Sequence, residues 1–212
     1  SCSVCASRLL FPGFERRSPG DSVMSVAVLA ERGTTDIAFC DDALLLDPER
    51  HALPFFRELD RLRLPVRLHT PNGLHVREIT PELARLMRGA GVATIRLSLE
   101  TVAASRTGDF SQKVSRKDFK RAAAALREAG YTPEDLGAYV LVGLPGQTPE
   151  EVEETVAFSL SCGIPVKPAL FSPVPGTVEF ERAVEYGMIG HDSDPLLQNN
   201  SLRKFDIWKG NP

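Results

Sequence analysis

The sequence has no excess of basic residues, no long apolar run and few cysteines, and each shortage removes a class of protein. Lysine and arginine total 25 against 28 aspartates and glutamates, a formal net charge of −3. Without a polybasic cluster, nothing in the chain indicates a nucleic-acid surface. No apolar stretch approaches the ~20 residues that span a bilayer, and no secretory signal is read at the start, so no membrane partner is expected. Four cysteines in 212 residues are too few for a disulfide scaffold. Cys40 and Cys162 stand in apolar contexts that suit buried free thiols, and a reducing, cytoplasmic setting follows. No linker or low-complexity segment divides the chain. Its length and its 42% hydrophobic content suit one domain with a sizeable core.

What the sequence does contain is a repeated unit. Ser18-Pro19-Gly20-Asp21, Asp47-Pro48-Glu49, Thr80-Pro81-Glu82, Ser115-Arg116-Lys117-Asp118 and Thr148-Pro149-Glu150-Glu151 each place a side-chain oxygen where a helix would start, most with proline next and acids in the first turn. Thr148 and Glu151 are spaced as a capping box. These starts, with Thr177 as the last, recur at intervals of 29, 33, 35, 33 and 29 residues, the length of a βα unit. Between them lie short β-rich runs at Asp36–Cys40, Val66–His69, Thr94–Leu99, Ala138–Val142 and Val166–Phe171. The spacing predicts five strands and six helices in a parallel α/β sheet, open or barrel-like.

Ligands bind such sheets beyond the carboxyl ends of the strands. Cys40-Asp41-Asp42 follows the first run, where paired carboxylates could bind a metal, hold an ammonium group or cap the loop. His69-Thr70-Pro71-Asn72-Gly73-Leu74-His75 follows the second. Its histidines match no zinc spacing and read as loop residues, and Asn72-Gly73 reads as a turn lining the pocket. Glu100 ends an apolar strand, a costly place for an acid without a partner. It is either a functional residue or half of a salt bridge to Lys113 or Arg116. Gly143-Leu144-Pro145-Gly146-Gln147-Thr148 lets backbone approach a ligand closely but lacks the pattern of a phosphate-binding loop. Ser172 lies just past the last strand, in a segment that prolines bring to a stop. At the start, Cys2-Ser3-Val4-Cys5 spaces two thiols as ligands to a metal or cluster, as half a zinc site or as a redox dithiol.

Cys2-Ser3-Val4-Cys5-Ala6-Ser7, Ser98-Leu99-Glu100-Thr101 and Gly143-Leu144-Pro145-Gly146-Gln147-Thr148, in this order, resemble the radical S-adenosylmethionine (radical SAM) enzymes, most closely the branch that often carries a cobalamin-binding domain upstream. The resemblance implies a partial (β/α)6 barrel over residues 1–189, with its first strand upstream of residue 1 and an extension over 190–212. It implies a [4Fe–4S] cluster on Cys2, Cys5 and a third cysteine four residues before Cys2, outside this sequence. Val4 stands where the family usually has an aromatic residue. The resemblance assigns Asp41 or Asp42 to the amino group of S-adenosylmethionine, Ser98 and Glu100 to its ribose and methionine parts, and Lys113 or Arg116 to its carboxylate. Asn72, Gly143 and Ser172 line the same cofactor. The implied reaction is reductive cleavage of S-adenosylmethionine to methionine and a 5′-deoxyadenosyl radical, with an electron donor such as a flavodoxin or ferredoxin. The substrate is not specified, and cobalamin would sit in a domain outside this chain. This piece alone is expected to be inactive. Two alternatives stand beside it. One is a metal-dependent hydrolase or lyase barrel using Asp41, Asp42, His69 and Glu100, and the other is a non-catalytic barrel scaffold.

Overall fold

The computed structural model describes residues 3–11, 13–106, 114–194 and 196. Five strands, β1 (Asp36–Ala38), β2 (Arg67–Leu74), β3 (Val92–Glu100), β4 (Leu136–Val142) and β5 (Val166–Leu170), form one sheet in the order β1-β2-β3-β4-β5, every pair parallel. A short α1 (Ser7–Leu10) comes first. It is followed by α2 (Pro19–Glu31), α3 (Ala52–Leu62), α4 (Pro81–Gly89), α5 (Arg116–Glu128), α6 (Pro149–Ser161) and α7 (Val178–Glu185). A strand feeding a helix that returns to the adjacent parallel strand coils the sheet progressively, giving an open partial barrel. No helix among the described residues is long and apolar enough to cross a membrane.

The helix starts behave as their sequences dictate. Ser18, Thr80, Ser115, Thr148 and Thr177 each accept a hydrogen bond from the backbone N–H three residues on, each cap worth about 1 kcal/mol. Thr148 and Glu151 complete the capping box. Asp47 is the exception. Its backbone is left-handed (φ 53°), its carboxylate pairs with Arg16 and Arg50, and α3 starts at Ala52 instead. The cause is tertiary: Leu44 and Leu45 are buried just before it, which commits the segment to a packed loop.

Two further expectations are corrected. Asn72-Gly73 is not a turn, because β2 runs on to Leu74. Leu74 is buried and pairs with Leu97, and a bulge between Thr70 and Leu74 absorbs the extra residues. Cys40 is exposed rather than buried, because β1 ends at Ala38 and the thiol falls on the following loop. Cys162 is buried as expected.

Strand residues alternate between two environments. Leu68, Ile95, Leu97, Ala138 and Val140 are essentially inaccessible and pack on Phe55, Phe56, Leu83, Met87, Phe119 and Leu126 of the helices. The opposite, concave face carries Asp36, Arg67, His69, Thr94, Arg96, Ser98, Tyr139 and Lys167, aligned by the register. Its floor at β1–β2 is an ion pair. Arg67 donates from Nε and Nη2 to the two Asp36 oxygens at 2.8 and 2.9 Å, and His69 Nε2 lies 2.9 Å from Asp36 Oδ1. A second small core, Leu144, Phe171, Phe180, Ala183 and Ile189, caps the carboxyl ends of β4 and β5.

Hydrogen bonds from Arg67, His69 and Thr35 hold the Asp36 carboxyl far below the usual carboxylate range. A carboxylate depressed in the folded state stabilises the fold above its unfolded value, about 3.9, and that contribution is lost as pH falls through the folded value. Asp36→Asn should therefore lower the melting temperature at pH 7. The gap to the parent protein should narrow as pH drops below about 4, measured by thermal unfolding across pH.

Candidate active site

The carboxyl ends of the strands meet the segment that carries Cys5. This segment is anchored at one side of the barrel and reaches to the other. At the anchored side the Glu179 N–H donates to Ser3 O at 3.2 Å, and Val4 packs on the second core. Leu9 sits so close to Gly176 that a Cβ there would lie 2.9 Å from Leu9 Cδ1. At the far side, Cys5 Sγ donates to Ser7 Oγ at 3.0 Å, and Ser7 Oγ donates to Asp42 Oδ2 at 3.3 Å. The Ser7 backbone N–H points at the same sulfur, 3.4 Å away. The loop thus spans from α7 to the end of β1 and leaves the Cys5 thiol exposed, its sulfur oriented by the Ser7 hydroxyl and backbone N–H.

Next to Asp42, Asn72 Nδ2 donates to Asp41 O at 3.2 Å, which ties the end of β2 to the loop after β1. Gly73 lies against β3: a Cβ would collide with Ser98 Oγ and come within 3.2 Å of Ser98 N. Ser98 is buried, and Glu100 follows with a left-handed backbone (φ 62°) at a register shift between β3 and β4. A non-glycine residue held there costs ~1–3 kcal/mol, strain that collects at functional sites. Tyr139 reaches across β3 to donate to Pro71 O at 2.7 Å. Asp41, Asp42, Asn72, Ser98 and Glu100 therefore occupy neighbouring strand ends. Ser172 follows β5 on the same rim.

The Gly143–Gln147 turn carries a constraint that the sequence reading did not contain. Gly143 has φ 86°, but its N–H and that of Leu144 are taken by Gln147 Oε1 at 2.7 and 3.2 Å, and Gln147 Nε2 donates to Leu141 O at 3.0 Å. Gly143 can offer a ligand close approach but not its N–H. Beside this turn a buried pair fixes the chain after β3: Arg106 Nε donates to Glu151 Oε2 at 2.8 Å and Nη2 to Pro145 O at 3.0 Å. Burial pushes the Glu151 carboxyl up, but hydrogen bonds from Arg106 and Ser105 outweigh it and hold the group below its usual value. Near Asp41, burial and the positive charge of Arg16 lower the His51 imidazole, and Asp41 opposes them.

Two candidates, Cys2 and Lys113, lie outside the described residues. Arg116, the other base considered for Glu100, pairs with Glu154. His69 is not a rim residue. Nε2 faces Asp36 and Nδ1 lies 2.9 Å from Thr94 Oγ1, so both ring nitrogens are engaged below the strand ends. Among the described residues no three His, Cys, Asp or Glu side chains converge as a metal site, and the hydrolase set Asp41, Asp42, His69 and Glu100 is not assembled. Sequence reasoning missed Ser7, Gln147 and the Arg106–Glu151 pair. A hydroxyl two residues after a cysteine was a visible signal. The ion pair joins residues 45 apart and left none.

A sequence model described as the radical SAM superfamily matches residues 1–159. No curated protein matches the chain. Among solved structures, the radical S-adenosylmethionine methyltransferase TsrM from Kitasatospora setae, with cobalamin and a [4Fe-4S] cluster bound, superposes with a TM-score of 0.72 at 21% identity, over 89% of this chain and 38% of that one. The same enzyme with tryptophan substrate and the SAM analogue aza-SAM gives 0.72 at 20% identity, over 97% and 42%. Coproporphyrinogen III oxidase (HemN) from Escherichia coli, a radical SAM enzyme, gives 0.60 at 14% identity, over 85% and 44%. At these identities the likeness is one of fold, and the chain spans about two fifths of the TsrM chain.

Gly73→Ala should force β2 away from Ser98, destabilising the protein by ~1–3 kcal/mol and disturbing the β2–β3 rim. Thermal unfolding, together with amide exchange at the strand ends, measures both effects.

Proposed function

The chain belongs to the radical SAM superfamily, and from that premise we propose that it is the barrel of an enzyme that binds S-adenosylmethionine at the strand ends, beside a [4Fe–4S] cluster held by the Cys5 loop. The observation that carries this reading is the Cys5–Ser7–Asp42 chain of hydrogen bonds, which couples an exposed thiol to the carboxylate at the end of β1.

The residues suit both groups. Cys5, with Cys2 and a further cysteine, would supply thiolates to the cluster. Beside that loop the buried Ser3 Oγ and Glu179 Oε2 have no hydrogen-bond partner among the described residues, and such a hydroxyl next to the cysteines fits a site that receives a sulfur-rich ligand. The Ser7 N–H and hydroxyl orient the Cys5 sulfur. Asp42, with Asp41, presents exposed carboxylate for an ammonium group. Ser98 and Glu100 face the sugar and methionine portions, Asn72 holds the Asp41 loop in place, and Lys113 is assigned to the carboxylate. The Gly143 turn, braced by Gln147, and the backbone at Ser172 wall the adenine. When bound, cofactor and cluster supply one-electron reductive cleavage of the sulfonium carbon–sulfur bond. The chain's own part is to position the two groups and keep water away from them. A flavodoxin or ferredoxin is the proposed electron donor, and a reducing cytoplasmic setting is proposed with it, a reading that the free cysteines Cys5, Cys40 and Cys162 support. Cobalamin, which one TsrM structure contains, is proposed for a domain outside this chain.

In the full-length protein, anaerobic reconstitution should incorporate iron and sulfide in the ratio of a [4Fe–4S] cluster. Reductant plus S-adenosylmethionine should then yield 5′-deoxyadenosine. Cys5→Ala should abolish both. Zinc in place of iron, or an intact cluster that never yields the nucleoside, would overturn the reading. Asp42→Asn should weaken S-adenosylmethionine binding about 10–100-fold, the loss expected for one charge-assisted hydrogen bond, as measured by equilibrium binding to the reconstituted protein.

A further inference from the structure

Below the strand ends, the concave face carries two basic side chains, Arg96 and Lys167, apart from the Asp36–Arg67 pair. Arg96 stands four residues before Glu100 on β3, about 13 Å deeper at the usual strand rise. It is half-buried and donates from Nη1 to Ile95 O at 3.1 Å. Lys167 on β5 is exposed and aligns with Tyr139, on the same face. Neither has an acidic partner among the described residues. The two side chains converge over Gly137. A Cβ there would lie 2.9 Å from Lys167 Cγ, 3.3 Å from Arg96 Cδ and 3.4 Å from Arg96 Nη1. The missing side chain is what lets the two stems share this space. On the same face Asp36 is committed to Arg67 and His69, and the Tyr139 hydroxyl to Pro71 O.

Two basic side chains whose stems meet over one glycine gather positive charge on one part of the face, and a bound anion would balance it. The arrangement is the more telling because the whole chain is acidic, with a net charge of −3. We infer that Arg96 and Lys167, across the bare Cα of Gly137, form the subsite that holds an anionic group of the substrate, a phosphate or a carboxylate. The guanidinium contributes a planar fork of donors and the ammonium a mobile point charge, the usual division of labour in holding such groups. This deepens the function proposed above and rests on it: a substrate anchored here would extend upward to the strand ends where S-adenosylmethionine is placed.

The test uses the full-length protein after anaerobic reconstitution, with inorganic pyrophosphate and succinate as probes in separate calorimetric titrations. At least one should bind. Arg96→Met and Lys167→Met should each weaken that binding about tenfold or more, with a melting temperature unchanged or raised, because neither residue holds a salt bridge among the described residues. Arg85→Met, which removes an exposed arginine on α4, should leave it unchanged. Binding of pyrophosphate alone identifies a phosphorylated substrate, and binding of succinate alone a carboxylate. No binding of either probe, an equal loss in Arg85→Met, or displacement of the probe by S-adenosylmethionine would overturn the subsite, the last by making the pair the cofactor's own carboxylate holder. The two readings fail separately. Nucleoside formation without anion binding removes only the subsite, whereas anion binding in a protein that takes up no iron or sulfide removes the radical SAM reading.

Discussion

Parallel pairing of five strands in chain order is the constraint on which the rest of the structure depends. Each crossover must return the chain to the same end of the sheet, so the crossover helices α3 to α6 lie on one face and every strand finishes at one rim. Apolar residues at alternate positions are driven against the helices, leaving the intervening positions for a concave face free to be polar. The rim collects loops, the hydroxyl-capped starts of α4, α5, α6 and α7 and the irregular backbone at Gly73 and Glu100. Chemistry is placed there because that is where regular pairing ends.

The segment that carries Cys5 exploits this geometry by bridging the rim. Val4, Ser3 and Leu9 are held against the β5–α7 side by packing and by the Glu179–Ser3 hydrogen bond. Ser7 reaches the β1 side through Asp42. A loop fixed at both ends holds a thiol in register with the strand ends without a disulfide or a large core of its own. The price is local strain and orphaned polar atoms, a left-handed Glu100 and unpaired Ser3 and Glu179 oxygens, and the main core is large enough to carry it.

Much of the fold was legible because its signals are local. A hydroxyl-capped start followed by proline and acids fixes where a helix begins, since the first backbone N–H groups need an acceptor whatever lies around them. Five of the six expected starts held for that reason. Asp47 failed because Leu44 and Leu45 bury before the helix can form, and burial of two leucines outweighs one cap. The Asn72-Gly73 turn failed in the same way. Leu74 pairs with Leu97, so β2 continues through residues that would turn in isolation. The candidate rim residues Asp41, Asp42, Asn72, Ser98 and Glu100 were legible as ends of runs, but the occupation of the Gly143 N–H by Gln147 was not.

The sequence by itself determined the number and order of the strands and of the six helices from α2 to α7, the end of the sheet at which polar residues would gather and the resemblance carried by Cys5 and its companion motifs. All of these depend on spacing along the chain, which is physical before any folding occurs. Only the tertiary structure decided which distant groups meet. It joined Ser7 to Asp42, Asn72 to Asp41 and Arg106 to Glu151, and it set Arg96 beside Lys167 over a glycine on the strand between them. Those pairings follow from the curvature and register of the sheet, and register is settled by the whole core at once rather than by any local run of residues.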